Sequence, residues 1–175
     1  MVAYKLPYTV EDYQQWEGDW ELIEGDAIAM APSPFGPHQA VMMKILFQLE
    51  QSFSNCPNRC FIYPETDYII DELNVFRPDI SVVCQKVQKH ITTTPAMVVE
   101  ILSNSTAIKD TTIKFQTYQK EGIAFYLIVD YEKQTFKLYK LQDGKYIKQD
   151  LQEAFSFELK GCMIELDAKE WWKVI

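Results

Sequence analysis

No apolar run in the 175-residue chain approaches the roughly 20 residues that a helix needs to cross a bilayer. The opening Met1-Val2-Ala3-Tyr4-Lys5-Leu6-Pro7-Tyr8 has no signal-peptide pattern. A cytoplasmic protein without a membrane partner is expected. Basic residues are in deficit: 17 Lys and Arg stand against 25 Asp and Glu, a formal net charge of -8. That balance excludes a protein that coats nucleic acid by bulk charge. It leaves open an enzyme whose acids bind a metal that in turn meets a phosphate. Glycine numbers only 6 and proline 8, which excludes collagen-like and linker-dominated architectures. Cysteine is sparse too, at 4. Cys56 and Cys60 form the one close pair, Cys84 and Cys162 stand apart, and His38 and His90 follow no zinc-ligand spacing. Four reduced thiols are expected, rather than a disulfide scaffold or a zinc site.

What the chain does have is core material. Hydrophobic residues make up 47% and aromatics 14%, enough for one globular domain over residues 1–175. Thr9 followed by Glu11 and Asp12 predicts a capped helix ending near Trp16. Two short runs around Gly25-Asp26 predict a hairpin. The prolines at 32, 34 and 37 predict a loop, and Val41, Ile45, Leu46, Leu49 and Phe53 recur at helical spacing after it. Strands are expected at 61–63, 66–70, 80–83, 96–102 and 125–130, a helix after Ser103-Asn104-Ser105-Thr106 running to about Glu121 and ending at Gly122, and a meander around Asp143-Gly144. A short helix closes the chain near Asp167–Trp172. The fold class is α/β with a mixed central sheet flanked by helices.

One residue breaks the local pattern. Glu100 lies inside Met97-Val98-Val99-Glu100-Ile101-Leu102, where a central strand places apolar side chains. Burying a lone carboxylate costs several kcal/mol or drives it neutral, so Glu100 calls for a base, an arginine or a metal as partner. The bland alternative is a strand end that faces water. Asp79, after Arg77-Pro78, opens the preceding strand. Acids on adjacent strands, about 5 Å apart, can share one cation, and magnesium commonly takes only one or two carboxylates. Asp110, Lys114 and Tyr118 follow at i, i+4 spacing on one helix face. That is either an ordinary surface ion pair or a lysine aimed at the acids.

Taken in order, Tyr8-Thr9-Val10-Glu11-Asp12-Tyr13, Trp20-Glu21-Leu22-Ile23-Glu24-Gly25-Asp26, Pro32-Ser33-Pro34 with His38-Gln39, Arg77-Pro78-Asp79-Ile80, Val98-Val99-Glu100-Ile101-Leu102-Ser103, Asp110 with Lys114 and Tyr118, and Tyr126-Leu127-Ile128-Val129-Asp130 resemble the Uma-two family. These are restriction-endonuclease-like proteins classed with the PD-(D/E)XK nucleases. The resemblance implies a restriction-endonuclease-like fold with an N-terminal hairpin and a C-terminal meander. It also implies a magnesium-dependent endonuclease acting on DNA, with manganese able to substitute, and a homodimer for cutting both strands. Residue by residue, it assigns Asp79 and Glu100 to the metal. Glu21 joins them in the metal site or beside it, and His38 positions phosphate or water. Leu102 stands where the superfamily carries its lysine, two residues after the second acid. The resemblance implies that Lys114 on the following helix takes that role. The alternative is a catalytically inactive nuclease fold acting as a binding or regulatory module, for which Lys86 and Lys89, with Lys109, Lys114 and Lys120, offer local positive charge.

Overall fold

A capping box opens the first helix. In the computed structural model, which describes residues 6–30, 36–54, 56–103 and 107–175, the Thr9 hydroxyl accepts from the Asp12 N–H and the Asp12 carboxylate accepts from the Thr9 N–H. These bonds satisfy donors that a first helical turn leaves unpaired. Helix α1 (Val10–Tyr13) ends sooner than expected. The hairpin follows as β1 (Trp20–Ile23) and β2 (Asp26–Ala29). Glu24 and Gly25 turn it with φ of 51° and 79°, the left-handed pair that matches strand twist. A Cβ on Gly25 would lie 2.3 Å from Cβ of Pro7. Gly25→Ala is therefore expected to destabilise the chain by about 1–3 kcal/mol, read as a lower urea midpoint. An unchanged midpoint would contradict the close approach.

The hairpin does not edge the main sheet. With β4 (Tyr68–Asp71) and β5 (Asn74–Phe76) it forms a separate four-stranded sheet of order β2-β1-β5-β4. The main sheet contains β3 (Phe61–Pro64), β6 (Ile80–Val83), β7 (Met97–Ile101), β8 (Phe125–Asp130), β9 (Thr135–Gln142) and β10 (Lys145–Lys148). Its order is β10-β9-β8-β7-β6-β3, antiparallel throughout except for the parallel β7–β8 pair. Every residue of β6 and β7 is buried, as their continuous apolar runs require.

Helix α2 (Gly36–Ser54) covers one face through Val41, Met42, Ile45, Leu49 and Phe53. Gly36 and Pro37 belong to its first turn rather than to the expected loop, because proline's missing N–H is not needed there. Residues 31–35 of that loop lie outside the described residues. The opposite face packs against α4 (Ile113–Lys120), whose Tyr118 joins Val98, Tyr126 and Ile128. The single helix expected after residue 106 is in fact two, α3 (Ala107–Thr111) and α4, separated at Thr112. A third sheet, β11 (Ala154–Leu159) with β12 (Cys162–Asp167), is an addition to the expected elements. It leads into α5 (Ala168–Trp172), where fully buried Trp171 donates from Nε1 to Oε1 of Gln48 at 2.8 Å.

The cysteines require a correction. Cys56–Cys162 and Cys60–Cys84 are disulfides, and no cysteine is free. The pairing of Phe61 with Val83 sets Cys60 across from Cys84, and the β11–β12 turn delivers Cys162 to Cys56. Spacing along the chain conceals both approaches. Among the described residues, no helix is long and apolar enough to cross a membrane.

Candidate active site

Strand register assembles the site. Ile80 pairs with Val99, so Asp79, immediately before β6, stands across from Glu100 near the end of β7. Asp79 Oδ2 accepts from the Ile101 N–H at 2.6 Å. The first turns of α2 deliver His38, whose Nε2 lies 3.0 Å from the Ile101 carbonyl oxygen and 3.4 Å from Asp79 Oδ2. Both neighbours accept, so Nε2 carries the proton. The buried Nδ1 of His38 has no hydrogen-bond partner among the described residues.

Glu100 is only 3% exposed. Its Oε1 accepts from Lys114 Nζ at 2.8 Å and from the Tyr118 hydroxyl at 2.9 Å. Lys114, equally buried, also reaches Glu21 Oε1 at 3.0 Å and Asp110 Oδ1 at 3.4 Å. Glu21 comes from β1 in the smaller sheet, so the lysine ties the two sheets together. Glu21 further accepts from the Arg77 backbone N–H at 2.9 Å and from Lys109 Nζ. Lys114 thus meets Glu100 from the helix, where Leu102 offers no charge.

The electrostatics follow from burial and partners. Burial alone would raise the Glu21 carboxyl, but Lys114 and Lys109 outweigh it and hold the group at about 2, against an ordinary 4.5. Burial lifts Glu100 well above the usual carboxylate range, Lys114 opposes the rise, and Asp110 and Asp79 add to it. Burial would lower Lys114, yet Glu100, Glu21 and Asp110 raise it and keep it protonated. For His38, burial favours the neutral ring and Asp79 overrides it, giving an upward shift.

A pH prediction follows for Glu21. Its folded value is depressed, so its stabilisation is full above 4.5 and is lost as pH falls toward about 2. The size is about 3 kcal/mol. Denaturant titrations across that window should show the native protein losing more stability than Glu21→Gln. Equal losses would refute the assignment.

The structure brings the five residues singled out in the sequence into one neighbourhood. Glu21, Glu100 and Lys114 are joined directly, and Asp79 and His38 meet at Ile101 beside them. Three contacts were not read from the sequence: the burial of Asp110 (1% exposed) beside Lys114, Lys109 on Glu21, and the Tyr118 hydroxyl on Glu100. The i, i+4 spacing of Asp110, Lys114 and Tyr118 signalled a shared face, but not its burial. Among the described residues, no group of three or more His, Cys, Asp or Glu side chains is arranged to hold a metal ion. The ammonium of Lys114 lies between Glu21 and Glu100, where it acts as their cation. Glu21, Asp79, Glu100 and Asp110 thus share this pocket of the fold with Lys109, Lys114 and His38. Both bonds to Glu100 fall on Oε1 and both contacts of Asp79 on Oδ2. The remaining oxygens, Oδ1 of Asp79 and Oε2 of Glu100, are hard donors of the kind that a divalent cation takes from one or two carboxylates.

Residues 10–161 match the family model Uma2, described as "Putative restriction endonuclease". The fold is similar to that of a "putative nuclease belonging to DUF820" from Anabaena variabilis, solved by crystallography. The TM-score is 0.78 at 19% identity, covering 96% of this chain and 99% of that one. At that identity the likeness establishes the fold alone. No curated protein matches.

Proposed function

The chain belongs to the Uma2 family, and from that premise we propose that it is a metal-dependent endonuclease hydrolysing phosphodiester bonds in DNA. The observation that carries the reading is a buried acid, Glu100, bonded to a buried lysine, Lys114, with Asp79 across the strand pair. Asp79 and Glu100 would hold the ion, and Oδ1 of Asp79 and Oε2 of Glu100 are the oxygens offered to it. Glu21, kept ionised by Lys109 and Lys114, completes the negative charge around it. Magnesium, or manganese in its place, would supply Lewis-acid polarisation of the scissile phosphate there.

The remaining work belongs to side chains. Lys114, held protonated, orients the attacking water and offsets charge developing on the phosphate. Tyr118 fixes the Glu100 carboxylate by donating to Oε1. His38 is anchored at Nε2, which leaves Nδ1 to accept from a water or, in the imidazolium form, to donate to a phosphate oxygen. Cutting both strands calls for two sites related by a two-fold axis, so a homodimer is part of the proposal.

One observation favours a second reading, a nuclease fold that binds without turnover: Lys114 already neutralises Glu21 and Glu100. Supercoiled plasmid incubated with magnesium, or with a chelator in its place, separates the two. The nuclease reading expects magnesium-dependent nicking that disappears in Asp79→Asn. Plasmid that is retarded on a gel but never nicked would overturn it in favour of the second.

A further inference from the structure

The four cysteines meet at the end of the main sheet away from the acids. Asp79 precedes β6 and His38 lies in the first turns of α2, whereas Cys84 follows β6 and Cys56 follows α2. Cys60 precedes β3 and Cys162 opens β12. Sγ of Cys60 lies 3.8 Å, and Sγ of Cys162 3.5 Å, from one and the same carbonyl oxygen, that of Asn58. Each of these sulfurs is bonded to one of the other two. Two sulfurs therefore lie against a single backbone carbonyl, each bonded to a further sulfur, and the four come from three separate stretches of chain.

The turn before Cys162 is built for this approach. Lys160 and Gly161 have φ of 53° and 81°, and a Cβ on Gly161 would meet Nδ2 of Asn58 at 3.3 Å. Cys60 and Cys162 are buried, while Cys84 reaches the surface in a shallow depression whose rim includes Arg59 and Lys160. The corner thus has a buried floor, an entry path and positive charge at its mouth.

We propose that, once both disulfides are reduced, Cys56, Cys60, Cys84 and Cys162 form a tetrathiolate site for a structural zinc ion, and that the two disulfides are its oxidised, metal-free form. Zinc takes four thiolates in a closed tetrahedron with Zn–S about 2.3 Å, which sets sulfurs about 3.8 Å apart. Two sulfurs already packed against one carbonyl, and the two bonded to them, reach that spread by side-chain rotation. The three residues between Cys56 and Cys60 fit the spacing of a structural zinc pair. The other two ligands are supplied by sheet pairing and by the β11–β12 turn. Lys160 offsets part of the net negative charge of the filled site, while Arg59 at the same rim is paired with Glu50. Thiols clustered in a reducing compartment are more often metal ligands than disulfides.

The steps balance. A dithiol reductant delivers two electrons and two protons to each disulfide, giving four thiols and two oxidised reductant molecules. Zinc binding then expels the four thiol protons. None of the site acids takes part, so the inference stands apart from the nuclease reading.

The test uses the full chain, reduced with a dithiol, freed of reductant under anaerobic conditions and titrated with cobalt(II), then with zinc chloride. The expected result is one cobalt per chain, with the visible bands and sulfur charge-transfer absorption of tetrahedral thiolate coordination, displaced by zinc. Cys60→Ser and Cys84→Ser should each lose that spectrum, and Asp79→Asn should keep it. Reduced protein that stays folded by circular dichroism yet gives no thiolate bands overturns the proposal. Reduced protein that unfolds and is not refolded by zinc does so equally, as does a spectrum undiminished in both serine variants.

Discussion

Glu100→Gln is expected to lower magnesium-dependent DNA cleavage by about 100-fold or more while leaving the fold intact. Glutamine matches the volume of glutamate and keeps an acceptor for Lys114 and Tyr118, the two donors that Oε1 satisfies. Lys114 keeps Glu21 and Asp110 as buried counter-ions when the Glu100 charge is removed, so the fold is retained. Losing an anionic oxygen from a hard-cation site is a different matter, because an amide oxygen is a weaker ligand and adds no charge. Changes even to groups that only support a metal ligand weaken affinity or activity by about 10- to 100-fold, and a direct ligand sets that range as its floor. Plasmid nicking measures the activity, and thermal melting serves as the control for folding. Full activity in a folded Glu100→Gln protein would remove Glu100 from the chemistry.

Lys114→Met carries the largest expected change in stability. The ammonium is the shared counter-ion of Glu21, Glu100 and Asp110, and all four groups are buried. Deleting one partner of a buried ion pair costs about 3–5 kcal/mol, because the charge left behind stays desolvated. For a chain of this size that corresponds to a fall in melting temperature of roughly 10 °C. Adding Glu100→Gln should restore part of the loss, since it removes one of the stranded carboxyls, and the double-mutant cycle isolates that coupling. A melting temperature within a few degrees of native in Lys114→Met would show the network to be hydrated rather than buried.

How much of this was legible beforehand depends on the residue. Glu100 could be read directly, since an acid within Val98-Val99-Glu100-Ile101-Leu102 contradicts a strand buried on both faces, and the strand is indeed buried throughout. Asp79 followed from its place at the start of the neighbouring strand. Glu21 and His38 could not be read that way. Glu21 lies in a short hairpin, and only the tertiary approach of the smaller sheet to α3 and α4 buries it. The resemblance carried both residues. The burial of Asp110 and the contact of Lys109 with Glu21 could not be read, because the helix break at Thr112 and the depth of α3 come from packing, not from periodicity.

The fold shows the same division. Long apolar elements such as β7, β8 and α2 stood out. β5 did not, because Val75 and Phe76 are only two apolar residues beside the turn-forming segment Asp71-Glu72-Leu73-Asn74. The β11–β12 hairpin left a clearer trace: Phe155, Phe157 and Leu159 alternate with Ser156 and Glu158, a period of two that marks a half-buried strand. The cysteine pairings are long-range facts, fixed by strand register and a turn, and one of them spans 106 residues of chain.

The most direct test of a metal-dependent site built on Asp79 and Glu100 is a calorimetric titration of manganese into the oxidised protein, native and Asp79→Asn. Its cysteines, held as disulfides, offer no thiolate to compete. One ion bound per native chain, with the binding heat gone in Asp79→Asn and folding unchanged, is the predicted result. The same isotherm from both proteins, whether with heat or without it, would contradict the account.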